Sequence, residues 1–268
     1  MENVADNVGE DAVLVERRER EAWLTLNRPS RLNAVNQTLY EQLTGAVLDA
    51  DRDAGVRVIV LTGSGRAFCA GADLKAHSET ERSDRERIDY ARIAQRANLA
   101  LQRCSKPVVA AVNGHAIGAG LELALSCDFI IVASDARLRL PELALGTFVG
   151  GGVTYTLPER VGMARAKELL LLGDFLSGEQ AAAYGLANRA VASDRFYEVV
   201  TAVAGRLGAQ APIPVRHAKR LLRRARRSGR RKILDGEARA LADCMATEDW
   251  REGLAAFREK RPPEYRGQ

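Results

Sequence analysis

Residues 106–128 read KPVVAAVNGHAIGAGLELALSCD, and within this stretch a strand, glycine turns and a helix follow one another. The β-branched run at 108–112 predicts a buried strand that ends at the following Asn-Gly pair. The GAG triplet at 118–120 then leads into a helix that begins near Leu121. A strand that runs through a tight turn into a helix is typical of α/β folds.

The same alternation of short apolar runs and helical stretches extends over the first part of the chain. Strands are predicted at 12–15, 23–26, 56–61, 108–112 and 129–132, and helices at 36–53 and 88–102. Beyond residue 192 only helical spacing remains, at 194–208, 213–228, 233–247 and 249–259. We therefore expect an α/β core over residues 1–192 and a helical region over residues 193–268.

Composition favours a soluble, cytoplasmic protein. The 268 residues are 46% hydrophobic and 28% charged, as in globular proteins. No apolar run approaches the roughly 20 residues that span a bilayer, and the acidic N-terminal segment lacks the apolar centre of a signal peptide. The four cysteines are scattered without a CxxC pair, which favours reduced thiols and predicts no zinc site.

The positive net charge belongs to one segment. Residues 216–232 hold ten Lys/Arg and no acid, and the rest of the chain has 30 basic against 35 acidic residues. One interpretation is a solvated helix with Leu221 and Leu222 as its apolar seam. The other is a surface for RNA or another polyanion, because clustered cations bind phosphates. No aromatic residue interrupts the segment, which argues against stacking on single-stranded bases.

Two glutamates stand out from their apolar surroundings. Glu122 lies within AGLELALS at 119–126, and Glu142 follows twenty residues later within LPELALG at 140–146. Two carboxyls that converge on one substrate can orient a water, remove its proton and deliver another. The alternatives are a solvated helix residue for Glu122 and, for Glu142 after Pro141, a first-turn carboxylate stabilised by the helix dipole.

A second turn resembles the first. Residues 66–75, RAFCAGADLK, follow a buried strand, and the small residues at 70–72 allow backbone to approach a ligand closely. Two such turns that face each other would form an oxyanion hole from backbone N–H groups. The glycines at 114–120 lack the GxGxxG spacing of a dinucleotide site, and there is no P-loop lysine.

Together these segments resemble the enoyl-CoA hydratase/isomerase, or crotonase, family, and most like an enoyl-CoA hydratase. The matching segments, in the family's order, are LNRPSRLNAV, RAFCAGADLK, KPVVAAVNGHAIGAGLELALSCD, LPELALGTFVGGG and EGLAAFREKRPPEYRG. The resemblance implies a ClpP/crotonase-like spiral of β-β-α repeats with a helical C-terminal trimerisation region. It also implies a homotrimer or a dimer of trimers.

The resemblance implies a role for four residues. The backbone N–H groups of Ala72 and Ala119 match the pair that holds the thioester carbonyl of an acyl-CoA. Glu122 and Glu142 match the glutamates that hold a water and add it across the 2,3 double bond of a 2-enoyl-CoA. Glu142 is expected to protonate Cα, and Glu122 to hold and activate the water.

The same resemblance places coenzyme A, as part of the substrate, and implies neither a further cofactor nor a metal. It assigns CoA to a turn and a loop, with the residues Arg28, Leu32, Ala70, Asp73, Leu74 and Lys75. Taken alone, Asp73 is more typical of a structural acid that caps or pairs with local backbone. Phe257 and Lys260 match residues that reach the CoA of a neighbouring subunit, and residues 76–92 are expected to fold over the acyl chain.

Other activities remain open within this resemblance. They are Δ3–Δ2-enoyl-CoA isomerisation and other acyl-CoA enolate reactions such as decarboxylation or C–C cleavage. Dienoyl-CoA isomerases of the family carry an acid eight positions beyond the second carboxylate, where this chain has Gly150. That reaction is therefore not expected. The alternative from a different class is an RNA-binding protein on the same fold that uses the basic segment.

Overall fold

The computed structural model describes residues 11–75, 83–225 and 228–268. Strands in these ranges form two sheets, one of six strands in the order β1-β2-β3-β5-β7-β10 and one of four in the order β4-β6-β8-β9. The strands are β1 Val13–Arg18, β2 Glu21–Leu26, β3 Val58–Gly63, β4 Ala67–Cys69, β5 Val108–Val112, β6 His115–Ile117, β7 Phe129–Ala133, β8 Arg137–Arg139, β9 Leu176–Ser177 and β10 Arg189–Val191.

Helices connect and follow these strands. They are α1 Gln37–Arg52, α2 Asp84–Arg103, α3 Ala119–Leu125, α4 Val153–Leu171, α5 Gly178–Ala183, α6 Phe196–Gly208, α7 Pro212–Ala225, α8 Arg230–Met245 and α9 Glu248–Glu259. Short 3-10 turns lie at Pro29–Arg31, Leu143–Leu145 and Ser193–Arg195. The helix α4 is kinked at Gly162, whose φ of 75° interrupts the helical backbone.

The sheets are linked by a repeated β-β-α unit. Each of β3, β5 and β7 lies in the large sheet and is followed by a short strand of the small sheet, namely β4, β6 and β8. A helix then leads the chain back, α2 after β4 and α3 after β6. The repeated strands pair in parallel, for example Ile59 with Val108. The spiral of β-β-α repeats expected from the resemblance is therefore confirmed.

Burial on both faces explains why the central strands are apolar without alternation. All residues of β3 and β5 are buried, because other elements cover both sides of a mainly parallel sheet. The edge strand β1 differs, since only Val13 is buried in it. The predicted strand at 108–112 is confirmed without any shift in its bounds.

The first hairpin is longer than predicted. The strands predicted at 12–15 and 23–26 extend into the charged residues between them, since β1 continues to Arg18 and β2 begins at Glu21. The turn is only Glu19 and Arg20, and Glu19 has a φ of 48°. Charged residues fit an edge strand because they project into water, and the Arg18 guanidinium lies 4.1 Å from the centre of the Trp23 ring.

Helix caps account for the starts of α1 and α2. The Asn36 side chain accepts a hydrogen bond from the Leu39 N–H at 2.9 Å, so α1 begins one residue later than predicted. Ser83 and Glu86 form a capping box, and α2 therefore begins at Asp84 rather than near residue 88. Within the stretch 76–92, residues 76–82 lie outside the described residues.

After β10 the described chain contains only helices. The helix α6 packs on the large sheet, with the rings of Trp23 and Tyr197 6.3 Å apart. The helix α7 is joined to the core by an ion pair of 2.6 Å between Lys219 and Asp128. Among the helices of the described ranges, none is both long and apolar enough to cross a membrane.

Of the two leucines predicted to form the apolar seam of the basic helix α7, only one packs against another helix. Leu221 packs toward α8, where a Cβ on Gly236 would lie 2.8 Å from its Cδ2 atom. Leu222 instead is 73% exposed. The side of α7 that faces the core carries Lys219, whose ammonium pairs with the partly exposed Asp128 carboxylate.

Candidate active site

The two glycine turns meet at one edge of the small sheet. Strands β4 and β6 are parallel neighbours, with Cys69 opposite Ala116, so the turns that follow them emerge side by side. A Cβ on Gly120 would lie 2.2 Å from the Cys69 carbonyl oxygen, closer than any side chain allows. Gly71 likewise approaches the Ile117 carbonyl, and its φ of 99° suits glycine. Only glycine permits this contact between the turns.

Two amide donors are left unused where these turns meet. Within the described ranges, neither the Ala72 N–H nor the Ala119 N–H donates a hydrogen bond to a protein acceptor. The Ala72 amide is held rigidly, because Val35 donates to the Gly71 carbonyl at 2.8 Å and accepts from the Asp73 N–H at 3.0 Å. The backbone thus presents two fixed donors at a half-buried position.

Glu122 is a buried carboxyl on α3. Its residue is only 4% exposed, which rules out the alternative of a solvated helix residue. The Oε1 atom accepts a hydrogen bond from the Gly150 N–H at 2.9 Å. Burial raises the pKa of Glu122 to about 7, the Gly150 amide opposes that rise, and the negative charge of Glu142 adds to it.

Glu142 is the second buried carboxyl, with 9% of its surface exposed. Its Oε1 atom lies 2.8 Å from the place that a Cβ would take on Gly118, one turn before Glu122. Its Oε2 atom is buried and finds no hydrogen-bond partner among the described residues. The side chain makes no capping hydrogen bond to the 3-10 turn at Leu143–Leu145 that follows it. Burial raises the pKa of Glu142 above its usual range.

The residues that the resemblance assigns to CoA form one connected surface. The Ala70 N–H donates to the Leu32 carbonyl at 3.0 Å, so the turn and the loop are joined. Arg28 forms an ion pair with Asp73 at 3.0 Å and also donates to a backbone carbonyl. Arg28 and Asp73 therefore brace this surface from within, and the structural interpretation of Asp73 is supported. Leu74 and Lys75 are exposed at its rim.

Phe257 and Lys260 are not brought to the two glutamates. Phe257 is 84% exposed on α9, a helix that packs on α8. Lys260 ends the same helix with a left-handed φ of 53°. Both residues are therefore accessible to a second molecule and do not belong to the site formed by the two glutamates.

Sequence reasoning missed the groups that surround Glu122. In the sequence, Gly150 was notable only because dienoyl-CoA isomerases carry an acid at this position. In the structure its amide donates to the Glu122 carboxyl. Tyr40 on α1 is buried, and burial followed by the charge of Glu122 raises its pKa well above the usual value. Asn98 on α2 is also buried next to Glu122. The only local signals were the glycines at 150–152 and polar residues on otherwise apolar helix faces.

Two observations on the described residues concern reactive groups outside the pair of glutamates. Burial raises the pKa of the Cys69 thiol to about 12, so this thiol stays protonated beside the turn. Across the described ranges, no group of three or more His, Cys, Asp or Glu residues is placed to hold a metal ion.

Part of the basic segment has internal partners. Lys219 pairs with Asp128, and the Arg223 guanidinium donates to the Gln102 carbonyl at 2.9 Å. Arg220 donates toward the buried His217 ring at 2.7 Å. Residues 226 and 227 lie outside the described residues. Phosphate binding by the remaining cations stays a prediction.

Comparison with known proteins agrees with this architecture. The family model for Enoyl-CoA hydratase/isomerase matches residues 17–268. The chain is 36% identical to 2,3-dehydroadipyl-CoA hydratase of Escherichia coli (strain K12), over 95% of this chain and 98% of that protein. It is 35% identical to crotonyl-CoA hydratase of Syntrophomonas wolfei, over 94% and 97% of the two chains. The structure of an enoyl-CoA hydratase from Bacillus anthracis matches with a TM-score of 0.92 and 34% identity, over 96% of this chain and all of that one.

Proposed function

Because the chain belongs to the enoyl-CoA hydratase/isomerase family, we propose that it adds water reversibly to the 2,3 double bond of a 2-enoyl-CoA thioester. It is a hydro-lyase, since relatives named as hydratases match it over nearly the whole chain at 35–37% identity. One observation carries the mechanism. Two buried carboxyls with raised pKa values lie beside two unused backbone donors.

The amides of Ala72 and Ala119 would hold the thioester oxygen. As water adds to Cβ, electrons move from the double bond to that oxygen and an enolate forms. Fixed N–H donors stabilise this negative charge without having to reorient, and one such donor is typically worth about 3–4 kcal/mol in a transition state.

Glu122 is the proposed base. The ionised carboxylate orients the water and accepts one of its protons, while the water oxygen forms the bond to Cβ. The amide of Gly150 holds Oε1, so the carboxylate has a defined direction when it meets the water. A pKa of about 7 lets Glu122 accept a proton readily near neutral pH.

Glu142 is the proposed acid. In its protonated form this carboxyl donates its proton to Cα as the enolate collapses, and burial, which raises its pKa, favours that form more than in an exposed glutamate. The negative charge of Glu142 raises the pKa of Glu122, so the pair tends to hold one proton between them. One acid and one base can therefore be present at the same pH. After product leaves, the proton taken by Glu122 restores Glu142 directly or through solvent.

We further propose that CoA binds along the joined surface of Leu32, Ala70 and Leu74, with Lys75 near its phosphates. A lysine ammonium suits a phosphate as a point charge. On this proposal the α/β unit of residues 1–192 carries the chemistry. The helical unit of residues 193–268 forms a homotrimer or a dimer of trimers, in which Phe257 and Lys260 reach a neighbour's CoA.

Hydration is tested by the loss of the enoyl-thioester absorbance of crotonyl-CoA and of longer 2-enoyl-CoA substrates. Glu142→Gln should lower kcat by about a thousandfold, because an amide N–H is far too weak an acid to protonate Cα. Glu179→Gln, on the exposed surface of α5, serves as the control and should keep full activity. Full hydratase activity in Glu142→Gln would refute the role given to Glu142.

A further inference from the structure

A buried carboxamide lies directly beside the Glu122 carboxyl. Asn98 Nδ2 and Glu122 Oε2 each lie 2.6 Å from the place where a Cβ would stand on Gly151. The two side chains therefore flank the same glycine, and any larger residue at 151 would displace both. Asn98 is 1% exposed, so no bulk water separates it from this site.

The orientation of the Asn98 amide follows from its partners. Its Nδ2 donates to the Ala94 carbonyl at 2.9 Å, and a carbonyl can only accept. Its Oδ1 accepts from the Ser126 hydroxyl at 2.8 Å. The NH2 group, and not the oxygen, therefore faces Gly151 and Glu122. One N–H is taken by Ala94, and the second has no other acceptor among the described residues.

A second contact supports this amide from behind. Ser126 lies one helical turn after Glu122 on α3, and its hydroxyl also accepts from Gln102 Nε2 at 3.1 Å. The chain of contacts thus runs from Gln102 through Ser126 to Asn98, and ties α2 to the helix that bears Glu122. A buried polar side chain that is held on two sides cannot turn away without leaving its partners unpaired.

We propose that Asn98 is a positioning residue for Glu122, and that Ser126 holds it in place. Asn98 Nδ2 lies across Gly151 from Oε2, while the Gly150 amide holds Oε1 and the Gly151 amide also stabilises the charged carboxylate. The Asn98 side chain and the two glycine amides thereby set the direction of the carboxylate toward the water. This inference rests on the proposed function for its effect on rate, but the contact itself can be tested without any activity.

The charged groups around Glu122 are few. Among the described residues Glu142 raises its pKa, and Glu122 in turn acts on Tyr40 of α1 and Cys69 of β4. From α2 and the turn before α4 the carboxyl meets only Asn98 and glycine amides. An N–H that faces the carboxylate favours its charged form. Removal of Asn98 should therefore raise the pKa of Glu122.

The test compares pH profiles of hydration in four variants. Asn98→Leu should lower kcat about tenfold or more, leave KM within about threefold, and move the acid limb upward by about one pH unit. Asn98→Asp keeps the shape and should move that limb further, because it sets a second carboxyl beside Glu122. Ser126→Ala should show a smaller change of the same kind, which Ser126→Thr, with its hydroxyl retained, reverses.

Thr62→Val is the matched control, because it removes a buried hydroxyl that donates to the Ala111 carbonyl in the large sheet. Its profile should match that of the unaltered protein. If Asn98→Leu does not fold, the isosteric Asn98→Asp decides the question. Profiles of Asn98→Leu and Asn98→Asp that superimpose on that of the unaltered protein would overturn the proposal.

A titration by 13C NMR separates this proposal from the proposed function. The Glu122 carboxyl resonance, assigned by its loss in Glu122→Gln, should titrate at a higher pH in Asn98→Leu, which removes the amide without adding a charge, than in the unaltered protein. That result supports the positioning role even if no enoyl-CoA is hydrated. An unchanged titration refutes it even if hydration is found.

Discussion

At the scale of single residues, the site depends on the burial of the Glu122 carboxyl and on the groups that contact its two oxygens. The apolar residues around it on α3 predict burial, and the structure confirms it. What neighbouring residues cannot specify is which group meets each carboxyl oxygen. The Gly150 amide is 28 positions away along the chain and meets Oε1 only in the folded protein.

The raised pKa of Glu122 predicts a pH-dependent cost to stability. Its folded pKa of about 7 exceeds the ordinary value of 4.5, so the folded state holds the proton more tightly than the unfolded state. Stability therefore falls as pH rises between these two values. Glu122→Gln should be more stable than the unaltered protein above pH 7, by up to about 3 kcal/mol, and equally stable near pH 4.

Urea unfolding at pH 8 and at pH 4.5 measures this difference. Glu179→Gln changes an exposed carboxyl and should shift stability by no more than about 0.5 kcal/mol at either pH. If Glu122→Gln is no more stable than the unaltered protein at pH 8, the buried Glu122 carboxylate does not destabilise the folded state. A gain would show that the site keeps this acid at the expense of stability, as expected for a functional group.

At the scale of elements, the basic helix α7 shows that a segment rich in Lys and Arg need not direct all of its cations to solvent. The sequence predicts the helix, but not that Lys219 faces inward. Its ammonium meets the Asp128 carboxylate, which also accepts from the Val108 N–H at 2.8 Å. Lys219 of the basic segment therefore helps to hold the helical region against the large sheet.

Removal of that cation should weaken the protein. Lys219→Met leaves the partly exposed Asp128 carboxylate without its ammonium partner, and the loss of this charge-assisted contact should cost about 1–3 kcal/mol. Arg224→Met, an exposed position on the same helix, should cost less than about 0.5 kcal/mol. The measurement is the free energy of unfolding in urea at pH 7. Equal effects of the two substitutions would show that the ion pair does not fasten α7 to the core.

At the scale of the whole molecule, the helical region carries many exposed apolar side chains. On α8 and α9 they are Leu234, Leu241, Met245, Trp250, Leu254 and Phe257. Many exposed apolar side chains on two helices that pack together are typical of an interface with another chain. It supports the proposed homotrimer or dimer of trimers.

The assembly is tested by the mass in solution. Light scattering should give three or six times the 29.2 kDa of one chain. The double variant Leu234→Glu, Leu241→Glu should lower that mass, because it places charge at the proposed interface. Val15→Glu, on the exposed side of the edge strand β1, should leave it unchanged. A monomer in the unaltered protein would refute the proposed assembly.

The sequence by itself determined the features that depend on near neighbours and on period. The strand at 108–112, the buried stripe of α1 from Leu39 to Ala50, the glycine turns and the two glutamates all follow from local pattern. They are predictable because steric limits and burial act over a few consecutive residues. The family resemblance rests on the same local motifs.

Only the tertiary structure decided how these motifs meet. It placed Gly120 against the Cys69 carbonyl, left the Ala72 and Ala119 amides without an acceptor in the described part of the chain, and set Asn98 beside Glu122. Such contacts join segments that are tens of residues apart, and they depend on how whole elements pack. No local period encodes them, because packing is a property of all the contacting surfaces together.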